Sequence, residues 1–237
     1  LATNAQGTNA RTSEISREFY GTDLRWDNKG TLGSLPYNIS LGLNYGKSED
    51  ARLDRNTLAA GLPINARNRD EDNIVDNFDQ YIQGKLSILN NVDLHAGARH
   101  TKVELEVDDK FLTGTGNLGN NSGSVDYQKT TPVIGAVWKV TPSFNLYANY
   151  GKGFETPTFI EAAYNSGATP NLNLKASESR NFEIGAKAFI ADNTQVNLNL
   201  FRVTTKNEIV IRETNVANRS VFANANDTKR TGAELSI

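Results

Sequence analysis

Four arginines lie close together between residues 51 and 75, and they are the strongest candidates for contacting a ligand. They are Arg52, Arg55, Arg67 and Arg69. Guanidinium groups bind carboxylates and other anions through paired hydrogen bonds, and a cluster of them attracts anions from a distance. Acidic residues interleave with these arginines, so the competing interpretation is a solvated loop of mixed charge. The interleaving favours that second interpretation.

Two further motifs point to cofactor or metal chemistry, and their surroundings argue against it. Gly114–Gly119 matches the dinucleotide fingerprint GxGxxG, but the polar run Asn120–Ser124 follows it where a helix would have to begin. The histidines His95 and His100 are five residues apart on a predicted strand. They therefore lie on opposite faces and cannot share a metal ion.

Two acidic runs, residues 70–72 and 108–109, lack the spaced oxygen ligands and the glycine of a calcium-binding loop. We interpret them as solvated charge. With no serine placed beside His95 in a recognisable motif, the sequence predicts no catalytic residues, no metal site and no bound cofactor.

The composition excludes several classes of protein. Across 237 residues, 25 basic side chains face 27 acidic ones, and the net charge of −2 argues against nucleic-acid binding. The absence of cysteine excludes disulfide scaffolds and thiolate metal sites. Apolar runs such as Val133–Val137 fall far short of the ~20 residues that a membrane-spanning helix needs.

Apolar and polar residues alternate repeatedly along the chain, as expected for strands with one apolar and one polar face. The alternation covers residues 38–46, 81–88, 92–98, 143–150, 181–190, 196–200 and 232–237. Near Lys102 the apolar positions change phase to Val103, Leu105 and Val107, which predicts a β-bulge.

The connections between these stretches alternate in length. Short turns are predicted at residues 27–36, 90–91, 141–142 and 192–193, and long polar linkers at about 51–75, 108–124, 153–177 and 213–227. In an up-and-down meander, this alternation places all short turns at one end of the sheet and all long loops at the other.

These patterns predict an all-β protein, an antiparallel up-and-down transmembrane β-barrel. The predicted strands are longer than those of soluble sandwiches, which average about 5–6 residues. We count about nine strands, an odd number where bacterial single-chain barrels are even, and the last one still alternates at Ile237. We therefore interpret residues 1–237 as a partial barrel domain.

Four motifs follow one another in the second half of the chain. They read YANYGKGFETPTFIE (147–161), PNLNLKASESRNFEIGAK (170–187), LFRVTTKNEIV (200–210) and NANDTKRTGAELS (224–236). This succession resembles the C-terminal half of TonB-dependent outer-membrane receptors. The segment GFETPT (153–158) has Glu155 where many members carry arginine. In this it resembles a branch of the family that includes receptors for pyrroloquinoline quinone.

The resemblance implies a barrel of about 22 strands in the outer membrane of a Gram-negative bacterium, closed by an N-terminal plug domain. Such receptors import a ferric siderophore or a similar scarce nutrient with energy relayed by TonB through the plug. The expected partners are therefore outer-membrane lipid, the plug, TonB and a small ligand, with no nucleic acid. We expect the plug and the final strands to lie outside residues 1–237.

Two other functions stay open at this point. A passive porin-type channel would have no plug, and its interior would carry a constriction of like charges. An outer-membrane hydrolase would need a Ser-His pair in register on neighbouring strands.

Overall fold

The computed structural model describes residues 11–59, 62–111, 120–162, 170–191, 193–214 and 220–237. Within these ranges the chain forms strands and one four-residue helix. They are β1 (Arg11–Leu32), β2 (Leu35–Ala59), β3 (Leu62–Leu89), β4 (Val92–Asp109), β5 (Gly123–Thr141), β6 (Phe144–Glu155), α1 (Phe159–Ala162), β7 (Ser177–Ala191), β8 (Thr194–Lys206), β9 (Ile209–Thr214), β10 (Ser220–Asn224) and β11 (Thr228–Ser236). No helix in the described ranges is long and apolar enough to cross a membrane.

Nine of the strands form one antiparallel sheet in the order β1-β2-β3-β4-β5-β6-β7-β8-β11. Each strand pairs with the next one along the chain, except that β9 and β10 form a separate ribbon between β8 and β11. The predicted all-β, up-and-down architecture and the count of about nine strands are therefore confirmed.

Short and long connections alternate as predicted from β3 onward, but two of the predicted intervals are wrong. The turn after β1 occupies only residues 33–34, where Gly33 has a φ of +63°, so Asp27–Leu32 belong to a strand. The interval 51–75 is not a linker, because β2 and β3 pair with one another through most of it. At about 3.3 Å per residue, β2 is ~80 Å long.

The strand register separates the residues of the sheet into an apolar face and a polar face. Leu41 lies opposite Ile82, and Ala148 lies opposite Ile184, with apolar side chains on the same side of each pair. A belt of exposed apolar side chains results. It includes Leu24, Trp26, Leu41, Leu43, Phe78, Ile82, Leu94, Ile134, Trp138, Tyr150, Phe182, Ile184, Leu198, Leu200 and Leu235. We call these residues the apolar belt.

The apolar belt runs diagonally across the strands. Ile82 of the belt is opposite Ala98, and Ala98 is opposite Pro132. On β6 and β7, the next two strands of the sheet, the residues at this level are Lys152 and Arg180. Such a stagger is what strands tilted against a membrane produce, because the lipid-facing segment slides along each successive strand.

The bulge predicted at Lys102 is not present, since the register between β4 and its neighbours is continuous there. The change of phase instead marks the level at which β4 leaves the apolar belt. Beyond it, Lys102 and Glu106 point outward and are exposed. Leu105 and Val107 are buried on the polar-face side, with 3% and 6% of their surface exposed.

The small hydrophobic core of the described residues lies at the long-loop end of the sheet, beyond the belt. It consists of Leu105, Val107, Tyr127, Pro157, Ala162, Leu174 and Val221. These residues come from β4, β5, β10 and the connection between β6 and β7, so the core joins the upper strands to the long loops.

Candidate functional site

Two buried carboxylates on the polar face, those of Asp79 and Asp93, are each held by a cation and a hydroxyl from neighbouring strands. Asp79 accepts hydrogen bonds from Arg99 Nη2 at 2.6 Å and from Thr101 Oγ1 at 2.5 Å. Asp93 lies 2.8 Å from Lys139 Nζ and accepts a hydrogen bond from Ser87 Oγ at 2.7 Å. Charges at this depth require such partners, so the polar face forms a rigid, hydrophilic wall.

A shallow groove of about 830 Å³ lies on the polar face near the short-turn end. Its lining includes the predicted polar-face residues Tyr147, Asn149 and Lys187. The Tyr147 hydroxyl donates to Glu183 Oε1 at 3.1 Å, and Asn149 Nδ2 lies 3.3 Å from Glu183 Oε2. The groove therefore presents lysine, amide and phenol groups beside apolar side chains such as Val133 and Val137.

At the other end of the sheet, the β2–β3 hairpin carries a network of alternating charges on the polar face. Arg52 donates two hydrogen bonds to the Asp54 carboxylate, at 3.0 and 3.1 Å. On β3, Arg69 Nε lies 3.0 Å from Glu71 Oε2. The register sets Arg52 opposite Glu71 and Asp54 opposite Arg69, so each charge has opposite charges beside it and across from it. We call these four residues the charge quartet.

Two polar residues complete the charge quartet. Ser13 Oγ donates to Asp54 at 2.5 Å, and Asn73 Nδ2 donates to Glu71 at 3.1 Å. Burial alone raises the pKa of the Asp54 carboxyl, but the hydrogen bonds from Arg52 and Ser13, with the nearby positive charges, bring it below its ordinary value. The carboxylate is thus held in its charged form, and the quartet fastens the hairpin.

The four arginines predicted as ligand contacts therefore fall into two groups. Arg52 and Arg69 belong to the charge quartet, in which each guanidinium group is paired with an acid. Arg55 and Arg67 lie directly opposite one another further along the hairpin, beyond a shift in register. Arg67 Nη1 also lies 2.6 Å from Asp70 Oδ2 at an exposed position.

The connection between β6 and β7 docks onto the upper sheet through Tyr127. The Tyr127 hydroxyl donates to the carbonyl oxygen of Leu174 at 2.8 Å, and both residues are buried. Burial raises the pKa of the Tyr127 phenol, so the phenol stays protonated and keeps donating. Val221 of β10 is 1% exposed and belongs to the same core.

Asn224, at the end of β10, ties this connection to the ribbon. Its Nδ2 donates to the carbonyl oxygens of Lys175 and Asn207, both at 2.8 Å, and its Oδ1 accepts from the Lys175 amide at 2.8 Å. Asn171 Nδ2 adds a bond to the carbonyl oxygen of Phe222 at 3.2 Å. Two long connections thus form one structured surface at the loop end.

The remaining sequence motifs show no shared site. His95 lines the polar-face groove, whereas His100 contacts Thr130 Oγ1 at 2.9 Å on the other face, as predicted from their spacing. Gly114–Gly119 lies outside the described residues. Among the side chains that the structure describes, no group of three histidines and carboxylates is placed to hold a metal ion.

Sequence reasoning missed two features of the loop end. The core around Tyr127 joins segments far apart in sequence, and no local pattern marks it. The second feature is a set of cations above the apolar belt, Lys152, Arg180, Arg202 and Lys229. Three of the four lie two residues from an apolar residue of the outward face, since Lys152 follows Tyr150, Arg180 precedes Phe182 and Arg202 follows Leu200. Continuing the period-two pattern of each strand would therefore have placed these three on the outward face.

A family model described as "TonB dependent receptor-like, beta-barrel" matches residues 2–237. Among solved structures, the chain resembles the ferric-catecholate import receptor Fiu from E. coli K12, with a TM-score of 0.72 and 19% identity over 94% of this chain and 35% of Fiu. It also resembles the siderophore receptor PiuA from Acinetobacter baumannii, with a TM-score of 0.74 and 19% identity over 94% of this chain and 36% of PiuA.

A third similar structure is the copper transporter OprC, with a TM-score of 0.75 and 14% identity over 95% of this chain and 35% of OprC. The chain thus spans about a third of the length of each of these structures. At these identities the likeness shows the fold. The three proteins are named as receptors or transporters, not enzymes.

Proposed function

Because the chain belongs to the TonB dependent receptor-like β-barrel family, we propose that it forms part of the barrel wall of an outer-membrane receptor that imports a ferric siderophore or a similar scarce nutrient. The observation that carries the proposal is the apolar belt, which backs a polar face lined with ion pairs. In a bilayer, only closed barrels and helices satisfy every backbone group. The belt would face acyl chains, and the polar face would enclose an aqueous interior.

The remaining parts of such a receptor are also part of the proposal. Residues 1–237 would supply nine wall strands, and an N-terminal plug and further strands would complete a barrel in the outer membrane of a Gram-negative bacterium. The groove lined by Tyr147, Asn149 and Lys187 would contact the plug, which would engage TonB. Ligand would bind at the loop end and at the plug apex.

Arg55 and Arg67 are the ligand contacts that we propose within this chain. They face each other across the hairpin, and paired guanidinium groups suit an anionic ferric chelate. Arg52 and Arg69 would act through the charge quartet, by fastening the hairpin that presents the other two.

The alternatives to siderophore import differ in ligand and in energy source. Family membership supports active import over a passive porin. It leaves the ligand open, because the similar structures include a copper transporter as well as siderophore receptors. A non-iron cofactor such as pyrroloquinoline quinone would fit the same architecture.

Uptake by cells tests the proposal directly. A strain lacking its own receptors would express the complete receptor and be given radiolabelled ferric catecholates, ferric citrate, copper and pyrroloquinoline quinone, with and without TonB. Uptake of one compound that requires both the receptor and TonB is expected. Uptake of many solutes without TonB would contradict the proposal and identify a passive channel.

A further inference from the structure

Four exposed cations form a patch on the outward face, immediately above the apolar belt. They are Lys152, Arg180, Arg202 and Lys229. Lys152 lies directly opposite Arg180 on the neighbouring strand. Thr204 stands between Arg180 and Lys229 at the same level, while Arg202 is next along β8 toward the belt. We call these four residues the cation patch.

The cation patch borders directly on aromatic residues of the belt. Tyr150 and Phe182 lie opposite one another, and Arg202 lies opposite Phe182 on its other side. Both rings are exposed, at 37% and 49%. Aromatic side chains at the edge of an apolar belt are typical of the level of lipid headgroups. The cations thus lie at the depth of the headgroups, on the surface that faces lipid.

The charges of the patch are not balanced by protein carboxylates. No ion pair joins any of the four cations to an acid among the described side chains. Glu178, two residues from Arg180 on β7, contacts Lys129 Nζ at 2.6 Å and lies opposite Lys206. Like charges placed directly across two strands, as Lys152 and Arg180 are, destabilise a sheet. Such an arrangement is favourable when an anion lies between them.

The other half of the sheet gives an internal comparison. The outward cations Lys47, Lys102 and Lys110 lie at the same end of the sheet, and each has an acid on a neighbouring strand. Lys47 is 3.4 Å from Asp76, Lys102 is 3.6 Å from Asp126, and Lys110 pairs with Asp72. Among these outward cations, the unbalanced charge therefore lies on β6, β7, β8 and β11.

We infer that the cation patch binds the phosphate groups of a lipid in the outer leaflet. Arginine offers a planar set of donors that matches phosphate oxygens, and lysine adds a mobile charge. A phosphate seated between Arg180 and Lys152 would relieve their repulsion. The acyl chains of the same lipid would lie against Phe182, Ile184 and Leu200. This inference depends on the proposed insertion of the barrel in a membrane, but not on what the receptor transports.

Lipid retention by the purified receptor tests the inference. Wild-type receptor, Arg180→Gln/Arg202→Gln and the control Lys102→Gln would be reconstituted in phosphatidylcholine nanodiscs doped with lipid A, whose headgroup carries two phosphates. Retained lipid A would be counted by native mass spectrometry after extraction into detergent. We expect about a tenfold loss or more for the double variant and wild-type retention for the control. Inorganic phosphate added in excess should not displace the lipid.

Other results of this experiment would contradict either the lipid site or the proposed function. Equal retention by the double variant and the wild type would overturn the inference, as would an equal loss in Lys102→Gln. Displacement by inorganic phosphate would overturn the assignment to a lipid. Gel mobility that changes on heating would confirm that each variant has assembled. A wild-type receptor absent from the outer-membrane fraction would instead contradict the proposed function.

Discussion

The ring of Tyr147 lies across the strand pair directly over Gly185, on the polar face of the sheet. A Cβ atom at position 185 would stand 2.7 Å from the carbonyl oxygen of Leu198 and closer still to the tyrosine ring. The glycine thus provides the space in which Tyr147 reaches Glu183. Gly42 and Tyr81, which are also directly opposite one another, repeat this arrangement at the other side of the sheet.

Replacing Gly185 with alanine should therefore displace Tyr147 and destabilise the barrel. The Cβ atom would meet both an aromatic ring and a backbone oxygen, and overpacking of this kind costs about 1–3 kcal/mol. The temperature at which the complete receptor loses its heat-modifiable gel mobility should fall. Gly151→Ala is the matched control, because its Cβ atom would make contacts of ordinary van der Waals length, 3.5 Å to Val133 and 3.9 Å to the Pro132 carbonyl oxygen. An equal fall in both variants would contradict the role of the Tyr147 ring.

Placing a lysine on either face of β8 tests the assignment of the two faces. Leu198 is exposed in the apolar belt, whereas Asn199 lies on the polar face opposite Glu234. Leu198→Lys should reduce folded receptor in the outer membrane, since a lysine facing lipid costs about 2–4 kcal/mol at mid-depth. Asn199→Lys should assemble normally, because it gains an acid across the strand. Equal damage by both substitutions would show that the faces are wrongly assigned.

These assignments show what the sequence could predict and where local patterns failed. Within the belt, one apolar face and one polar face impose a period of two, so the faces of Leu198 and Asn199 follow from the sequence. Beyond the belt, the outward face carries charged residues, and the alternation near Lys102 and Val107 changes phase without any bulge. The 51–75 interval consequently resembled a linker. The pairing of Arg52 with Asp54 beside Glu71 depends on cross-strand register, which no local pattern reveals.

The charge quartet should make the β2–β3 hairpin sensitive to acid. The pKa of Asp54 is lower in the folded hairpin than its ordinary value, so its stabilising contribution is complete above about pH 4 and is lost as the pH falls through the folded pKa. Amide hydrogen exchange across residues 48–54, corrected for the intrinsic rate, should therefore speed up below about pH 4. Asp54→Asn should reduce this dependence and leave the part due to Asp50, whose pKa the hydrogen bonds from Arg17 also lower, whereas Asp126→Asn should retain all of it. Protection that is constant into strong acid would contradict the role of Asp54.

The division of the four arginines into two groups predicts two different phenotypes. Arg55→Gln/Arg67→Gln should weaken binding of the transported chelate by about tenfold, because charge-assisted contacts would be lost. Hydrogen exchange at residues 48–54 should not change in that variant. Arg52→Gln should speed up the same exchange, because Asp54 would lose its bidentate partner. Affinity would be measured by titration with the chelate found in the uptake assay. An unchanged affinity in Arg55→Gln/Arg67→Gln would exclude Arg55 and Arg67 as ligand contacts.

Loss of the Tyr127 hydroxyl should release the connection between β6 and β7 from the upper sheet. Tyr127→Phe leaves the buried carbonyl oxygen of Leu174 without its donor, at a cost of about 1–3 kcal/mol. Because Lys175 is exposed beside this contact, tryptic cleavage after Lys175 should accelerate about tenfold. Tyr150→Phe, in the apolar belt, is the control and should be cleaved at the wild-type rate. Wild-type cleavage of Tyr127→Phe would mean that Asn224, through its bonds to Lys175 and Asn207, is sufficient to hold the connection.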